Sequence, residues 1–218
     1  MEFIKHLIDF ILHIDKHLEV IIAQYQGWTY LILFVIIFAE TGFVVTPFLP
    51  GDSLLFAAGA LIAGGNTGLN IIYLGLMLIA AAFAGNSLNY ALGNYFGPKV
   101  FKPENKILKL DYYLQTKAFF DKHGGKAVIF SRFMPIIRTI APFVAGVGRM
   151  PFLRYSIYNI IGGASWIILF LFAGYELGNI PFLKAHISLL GIVIILLSVV
   201  PPIIAAIKSK GKKKQANS

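Results

Sequence analysis

The feature that most restricts the fold of this chain is a run of 79 residues, Val20 to Pro98, in which only Glu40 and Asp52 are charged. Soluble domains carry about 25% charged residues, whereas this 218-residue chain is 13% charged and 57% hydrophobic. A soluble protein would have to enclose several long charge-free runs in one small core. We therefore expect an all-α membrane protein with several spans.

The basic residues indicate membrane topology rather than nucleic-acid binding. The formal net charge is +9, but five lysines lie in residues 208–218 and seven in residues 99–126. Lys and Arg beside apolar segments mark the cytoplasmic face. We therefore expect a basic cytoplasmic tail at 208–218, and a second hairpin and basic loop that face the cytoplasm. The first hairpin and the N-terminus then lie on the outer side.

The sequence lacks the residues and motifs that several classes of protein chemistry require. The chain has no cysteine, which excludes disulfides, thiolate metal sites and cysteine nucleophiles. It also lacks a Walker motif, a nucleophile elbow and HExxH. We expect no enzyme activity and no cofactor.

Residues 1–26 alternate charged residues with apolar ones at helical spacing, which predicts an amphipathic helix in the membrane interface. His13 and His17 have the spacing of metal ligands on a helix. No third ligand follows at an obvious spacing, so we assign no metal site here.

The first apolar segment, residues 28–66, is broken near its middle by TPFLPGD. The prolines of this break remove amide donors, its glycine permits a sharp turn, and the Asp–Ser pair can cap the next helix. Two full spans with a tight external turn would fit, and so would a re-entrant hairpin. The two acids and the missing charged flanks favour the hairpin, lined by a cavity. The residues of this break that we expect to line the cavity are Pro47, Pro50, Gly51 and Ser53.

A second apolar segment, residues 127–148, is interrupted by Pro135 and Pro142, which are further cavity-lining candidates. Its only charges are Arg132 and Arg138. Each broken segment precedes a continuous apolar span, a plan that resembles the repeats of secondary transporters. The sequence therefore predicts a transmembrane domain at 27–207 with two opposed re-entrant hairpins, amphipathic interfacial helices and about three full transmembrane helices. The predicted spans are 70–96, 153–176 and 185–207, with an amphipathic loop at 99–126.

Four charges in apolar segments need partners. A charge at the centre of a membrane helix costs about 2.5–3.5 kcal/mol, so four unpaired ones would cost on the order of 10 kcal/mol. We expect Glu40 and Asp52 to face Arg132 and Arg138, although the sequence does not say which acid meets which arginine. The four residues form either a salt-bridge lock or a working site.

In the working site, the arginines bind a phosphate headgroup, because the guanidinium fork matches phosphate oxygens. An acid partly removed from water carries the coupling proton. Asn86, Asn89 and Tyr90 lie on one stretch of the 70–96 span. They either line the same cavity or form hydrogen bonds between helices.

The motif ETGFVVTPFLPGD (40–52), followed by RFMPIIRTIAPFVAG (132–146), resembles the DedA family of bacterial membrane proteins, which carry the VTT or SNARE-associated domain. The similarity includes HLIDFILHID near the start and GNSLNY in the middle. It implies a multi-pass protein of the bacterial cytoplasmic membrane that supports envelope homeostasis with the proton motive force. It also implies transport of undecaprenyl phosphate or a related phospholipid.

In the family, the essential acids and arginines correspond to Glu40, Asp52, Arg132 and Arg138. Many members have an acid where this chain has Asn86, which weakens a proton-relay role for this position. Three functions stay open: a lipid-phosphate transporter that uses protons, a proton-coupled cation or drug antiporter, and a structural or partner-binding membrane protein. The partners expected for the first are the lipid phosphate, the bilayer and protons, with no nucleic acid.

Overall fold

A computed structural model describes residues 14–43, 51–65, 67–97 and 110–180, and over these residues the fold is entirely helical, as predicted. In chain order the helices are α1 Ile14–Tyr25, α2 Trp28–Gly42, α3 Gly51–Ala63, α4 Ile71–Phe96, α5 Leu110–His123, a 3-10 turn Gly124–Lys126, α6 Ala127–Ser131, α7 Pro135–Val147 and α8 Phe152–Gly178.

Two helices of this part of the chain, α4 and α8, are long and apolar enough to cross a bilayer. They contain 26 and 27 residues, or about 40 Å of helix at 1.5 Å per residue, against a hydrocarbon core of about 30 Å. They correspond to the predicted spans 70–96 and 153–176. The third predicted span, 185–207, and the basic tail lie outside the described residues.

Each broken segment forms two short helices. In the first, α2 ends at Gly42 and α3 begins at Gly51, while the residues between them from 44 to 50 lie outside the described part. In the second, the break falls at residues 132–134, and α7 begins at Pro135, where the missing amide donor costs nothing. The prediction that Pro142 interrupts the second segment is wrong, because α7 continues through it to Val147.

We call the two short helices of each broken segment its first and second arm: α2 and α3 in the first half of the chain, α6 and α7 in the second. The second arms are exchanged between the two long helices. Helix α4 packs against α2 and α7, whereas α8 packs against α6 and α3. Each long helix therefore holds the first arm of its own half and the second arm of the other half.

Glycines mark the two exchanged contacts at equivalent positions. Gly59 of α3 lies against the α8 backbone and Gly146 of α7 against the α4 backbone, and in both cases a Cβ would overlap a backbone carbonyl oxygen. The converse pairs are Gly174 against Phe56 and Gly93 against Phe143. The arm residues are 87 positions apart (59 to 146, 56 to 143) and the long-helix glycines 81 (93 to 174). The two halves thus share a contact geometry that their sequences barely display.

Helix α1 packs against α2 and α3, and Leu18 and Ile22 enter the main apolar core. It accounts for the second half of the predicted 1–26 helix. His13 lies outside the described residues, and within the described part no group of three His, Cys, Asp or Glu side chains could hold a metal ion.

Candidate functional site

The centre of the site is Arg138, which joins two carboxylates from another segment of the chain. Its Nη2 donates to Glu40 Oε1 at 2.6 Å and its Nη1 donates to Asp52 Oδ1 at 2.8 Å. Glu40 is 2% exposed and Asp52 8%. Both predicted acids therefore meet the same arginine, whose side chain is 14% exposed, while the two acids are buried.

Helix ends bring these three side chains together. Glu40 lies near the end of α2, Asp52 in the first turn of α3, and Arg138 in the first turn of α7. The two arm helices α3 and α7 thus both begin at the site, where their unpaired amides and dipoles favour negative charge. Glu40 Oε2 lies directly against Gly51, and a Cβ there would overlap this oxygen. Gly51 is therefore needed for close approach.

Trp166 of α8 connects the charged groups. Its indole Nε1 donates to Asp52 Oδ1 at 2.8 Å. The guanidinium carbons of Arg132 and Arg138 each lie 5.8 Å from its ring centroid, within the range of cation–π attraction. Trp166 is 2% exposed, so both interactions operate away from bulk water.

Arg132 is surrounded by neutral acceptors. Its Nη2 donates to Asn159 Oδ1 at 2.7 Å and lies 3.4 Å from the carbonyl of Ala82. The amide orientation that satisfies both side-chain atoms of Asn86 accepts from the same nitrogen at 2.7 Å and donates to the Thr41 carbonyl at 3.1 Å. Within the described residues, no carboxylate lies within ion-pair distance of this 4%-exposed arginine.

A cavity of about 10 Å³ lies among these groups, lined by Glu40, the two arginines and Trp166, with Thr41, Asn86 and Thr139. This volume suits a single water molecule. In the conformation described here, these groups leave no room for a larger molecule between them.

The other predicted lining residues whose side chains are described do not line this cavity. Asn89 donates to the Thr139 carbonyl at 2.8 Å, and the hydroxyl of Tyr90 donates to the Met150 carbonyl. Both form bonds between segments rather than line this cavity. Ser53 is buried in the first turn of α3, and Pro142 lies inside α7. Only the backbone of Pro135 is described, while Pro47 and Pro50 lie outside the described residues.

Two residues of the site, Asn159 and Trp166, were missed in the sequence. They lie seven positions apart on α8, in a span without charge between residues 155 and 175. This spacing places them on one helix face. A polar residue and a tryptophan on one face of an otherwise apolar span were the available signal.

Comparisons with known proteins agree on one family. The model for the VTT domain matches residues 49–176. The chain is 48% identical to Protein DedA of Escherichia coli K12 over 96% of each chain. It is 39% identical to an uncharacterized membrane protein of Mycobacterium leprae, over 79% of this chain and 77% of the relative. With the inner membrane protein YghB of Escherichia coli K12 it shares 37% identity over 72% and 71%. No solved structure matches.

Proposed function

Because this chain belongs to the DedA family of VTT-domain membrane proteins, we propose that it moves a lipid carrying a phosphate headgroup, undecaprenyl phosphate or a related phospholipid, across the bacterial cytoplasmic membrane. The observation that carries the proposal is the guanidinium of Arg138, held between the buried carboxylates of Glu40 and Asp52 beside the buried Arg132. Charges this deep in an apolar fold are energetically costly, and this cost favours a functional role for them.

The chemistry of the site suits a phosphate. Arginine offers donors in a planar fork that matches phosphate oxygens. The starts of α3 and α7 add backbone amides and positive dipole ends. Glu40 now occupies such an anion position, because its carboxylate lies against both Arg138 and the first residue of α3. A phosphate would take the same place once this carboxylate leaves.

Charge balance connects that exchange to protons. The two acids and the two arginines have a formal net charge of zero, so an entering phosphate leaves the site with excess negative charge. Protonation of Glu40 or Asp52 offsets one unit of this negative charge and releases a donor edge of Arg138. We therefore assign proton coupling to these two acids and phosphate binding to Arg132 and Arg138.

We further propose that the broken segments are re-entrant hairpins that open on opposite sides. The arms α2, α3 and α7 have 15, 13 and 13 residues, or about 20–23 Å each, which is less than the hydrocarbon core. Helix α2 begins beside the start of α4, where Tyr30 accepts from the Asn70 amide, and ends beside Gly85 near the middle of α4. Such contacts favour an arm that stops halfway across.

The remaining membrane arrangement follows the lysines. We propose a third span at 185–207, a cytoplasmic C-terminus and an N-terminus on the outer side, as the basic clusters predict.

Transport in proteoliposomes tests the function. Undecaprenyl phosphate is placed in one leaflet and its appearance in the other is followed, with and without a pH gradient. We expect the wild type to move the lipid, and Arg138→Ala and Glu40→Gln to lose at least ten-fold in rate. Gradient dependence in the wild type would assign the acids to coupling. A folded wild type that moves no lipid under either gradient would refute the proposal.

A proton-coupled cation or drug antiporter is the second candidate, because two carboxylates beside an aromatic ring also suit a cation. Arg138 would then be a counter-charge, and Arg138→Lys would preserve transport of a cation. The paired substitution Glu40→Arg with Arg138→Glu tests a purely structural lock, which predicts that the reversed pair keeps the wild-type activity.

A further inference from the structure

We propose that the two arginines of the site have different tasks: Arg132 receives the phosphate first, and Asn159 is the positioning residue that orients its guanidinium without cancelling its charge. This inference rests on the proposed transport of a phosphate-bearing lipid. It adds a division of labour within the site, since Arg138, which is engaged by the coupling acids, offers its donors to the phosphate only after one of these acids is protonated.

Different acceptors surround the two guanidinium groups. Both terminal nitrogens of Arg138 are engaged by carboxylates at 2.6 and 2.8 Å. Nη2 of Arg132 is engaged by the amide oxygens of Asn159 and Asn86, both at 2.7 Å. An amide oxygen accepts a hydrogen bond but carries no formal charge, so the two amides that hold Arg132 do not cancel its positive charge.

Two nitrogens of Arg132 are available for a ligand. Within the described part of the chain, its Nε and Nη1 make no hydrogen bond, and the residue lines the small central cavity. Both two-donor edges of a guanidinium include Nη2, because the Cδ carbon occupies the edge between Nε and Nη1. The two amides thus hold Nη2, and the N–H groups of Nε and Nη1 remain to donate single hydrogen bonds to the anion.

Asn159 can hold this orientation because both ends of its amide are used. Its Oδ1 accepts from Arg132, and its Nδ2 donates to the Phe83 carbonyl on α4 at 3.2 Å. The side chain is completely buried, so water does not compete for either bond. Gly163 on the same helix makes room, because a Cβ there would lie 3.3 Å from Arg132 Nη2.

Asn159→Asp is the sharpest test, because it changes the amide to a carboxylate of equal size. The new acid would pair with Arg132 and cancel its charge. The chain contains two tryptophans, of which Trp28 is 68% exposed at the start of α2 and Trp166 is in the site. A Trp28→Phe background therefore leaves Trp166 as the single fluorescent reporter, 5.8 Å from the Arg132 guanidinium carbon.

The purified protein in this background is titrated with farnesyl phosphate, farnesol and inorganic phosphate. We expect a saturable change in Trp166 fluorescence with farnesyl phosphate and none with farnesol. In Asn159→Asp, the midpoint should rise at least ten-fold while the amplitude at saturation is kept.

Asn89→Asp is the matched control. Asn89 is also completely buried, but it donates to the Thr139 carbonyl and contacts neither arginine. It should leave the midpoint unchanged in the folded fraction. If Asn159→Asp does not fold, Asn86→Asp tests the same neutralisation from α4 and should give the same ten-fold rise.

The outcomes separate the inference from the function it rests on. An unchanged midpoint in Asn159→Asp, or an equal shift in Asn89→Asp, would overturn the division of labour. Binding of farnesyl phosphate by the parent would still support a phosphate-bearing lipid as the transported substrate. No response to farnesyl phosphate in the parent would overturn both. Equal midpoints for inorganic and farnesyl phosphate would support Arg132 as the anion-binding residue. They would show that it does not distinguish a lipid headgroup from free phosphate, which would overturn the lipid as its ligand.

Discussion

At the scale of single residues, the site depends on a neutral side chain as much as on its charges. Trp166 supplies a hydrogen bond to Asp52 and an aromatic surface for both arginines. A buried carboxylate needs such donors, because each bond to a charged group contributes about 1.5–3 kcal/mol.

Trp166→Phe should therefore keep the aromatic surface and remove only the indole N–H. We expect lower thermal stability and a transport rate reduced about ten-fold, because Asp52 loses a donor and its geometry on Arg138. Thermal unfolding and the proteoliposome assay measure the two effects. Trp28→Phe is the control, and a Trp166→Phe protein equal to it in both assays would contradict the role.

Gly51→Ala should displace Glu40, because the new methyl group would overlap Glu40 Oε2. We expect transport to fall at least ten-fold with the helix content retained in circular dichroism. Adding Glu40→Asp shortens the acid and makes room, so the double variant should recover part of the rate. A Gly51→Ala protein with full activity would show that this close contact is dispensable.

The charged residues of the site could be found from the sequence because each is an exception in an apolar segment. Their pairing could not be found from the sequence, since both acids form ion pairs with Arg138 and neither forms one with Arg132. Asn159 was not found because a single amide in a span has an ordinary explanation in helix packing. Whether such an amide belongs to the site or only to helix packing depends on which helices are neighbours in the fold.

At the scale of elements, the exchanged arms depend on backbone contact. Gly59 and Gly146 bring α3 and α7 against α8 and α4 so closely that carbonyl oxygens occupy the space of a side chain. Small residues are the usual means of such approach between helices in membranes.

Gly59→Ala and Gly146→Ala should each lower the free energy of unfolding by about 1–3 kcal/mol or more, the usual cost of overpacking. Thermal unfolding in detergent measures the loss, and the two variants should lose similar amounts because their contacts are equivalent. Gly27→Ala is the matched control, since nothing lies within 4 Å of its added methyl group. A loss at only one of the two glycines would contradict the equivalence of the halves.

Helix positions followed from the sequence, because apolar length, prolines and glycines act locally. The end of α2 and the starts of α3 and α7 agree with the predicted breaks. The exchange of arms did not follow, because the halves share few residues and periodicity does not identify a packing partner. Pro142 was misread since an internal proline can be tolerated within a helix whose neighbours support it.

At the scale of the whole molecule, α4 offers a direct test of orientation. Tyr73 and Tyr95 lie near its two ends and are 67% and 83% exposed. Their separation along the helix is about 33 Å, close to the thickness of the hydrocarbon core. Tyrosine favours the membrane interface, so both ends suit interfacial positions.

Single cysteines at these positions should be labelled from opposite sides, since the natural chain has no cysteine. In intact cells, a membrane-impermeant maleimide should modify Tyr73→Cys, and it should reach Tyr95→Cys only after the membrane is opened. The unsubstituted chain is the background control. The reverse pattern would invert the proposed topology, and labelling of both from outside would exclude a span.

The exchange of arms also fixes an order of events during synthesis. Glu40 precedes Arg138 by 98 residues, and at 5–20 residues per second the arginine follows after roughly 5–20 s. Helix α3 likewise waits for α8, its main packing partner. The first half of a nascent chain therefore holds two acids without their arginine, and its helix α3 lacks its packing partner. The insertion machinery must shelter this half until the second half arrives, so ribosome pausing between the halves would extend its exposure to membrane proteases.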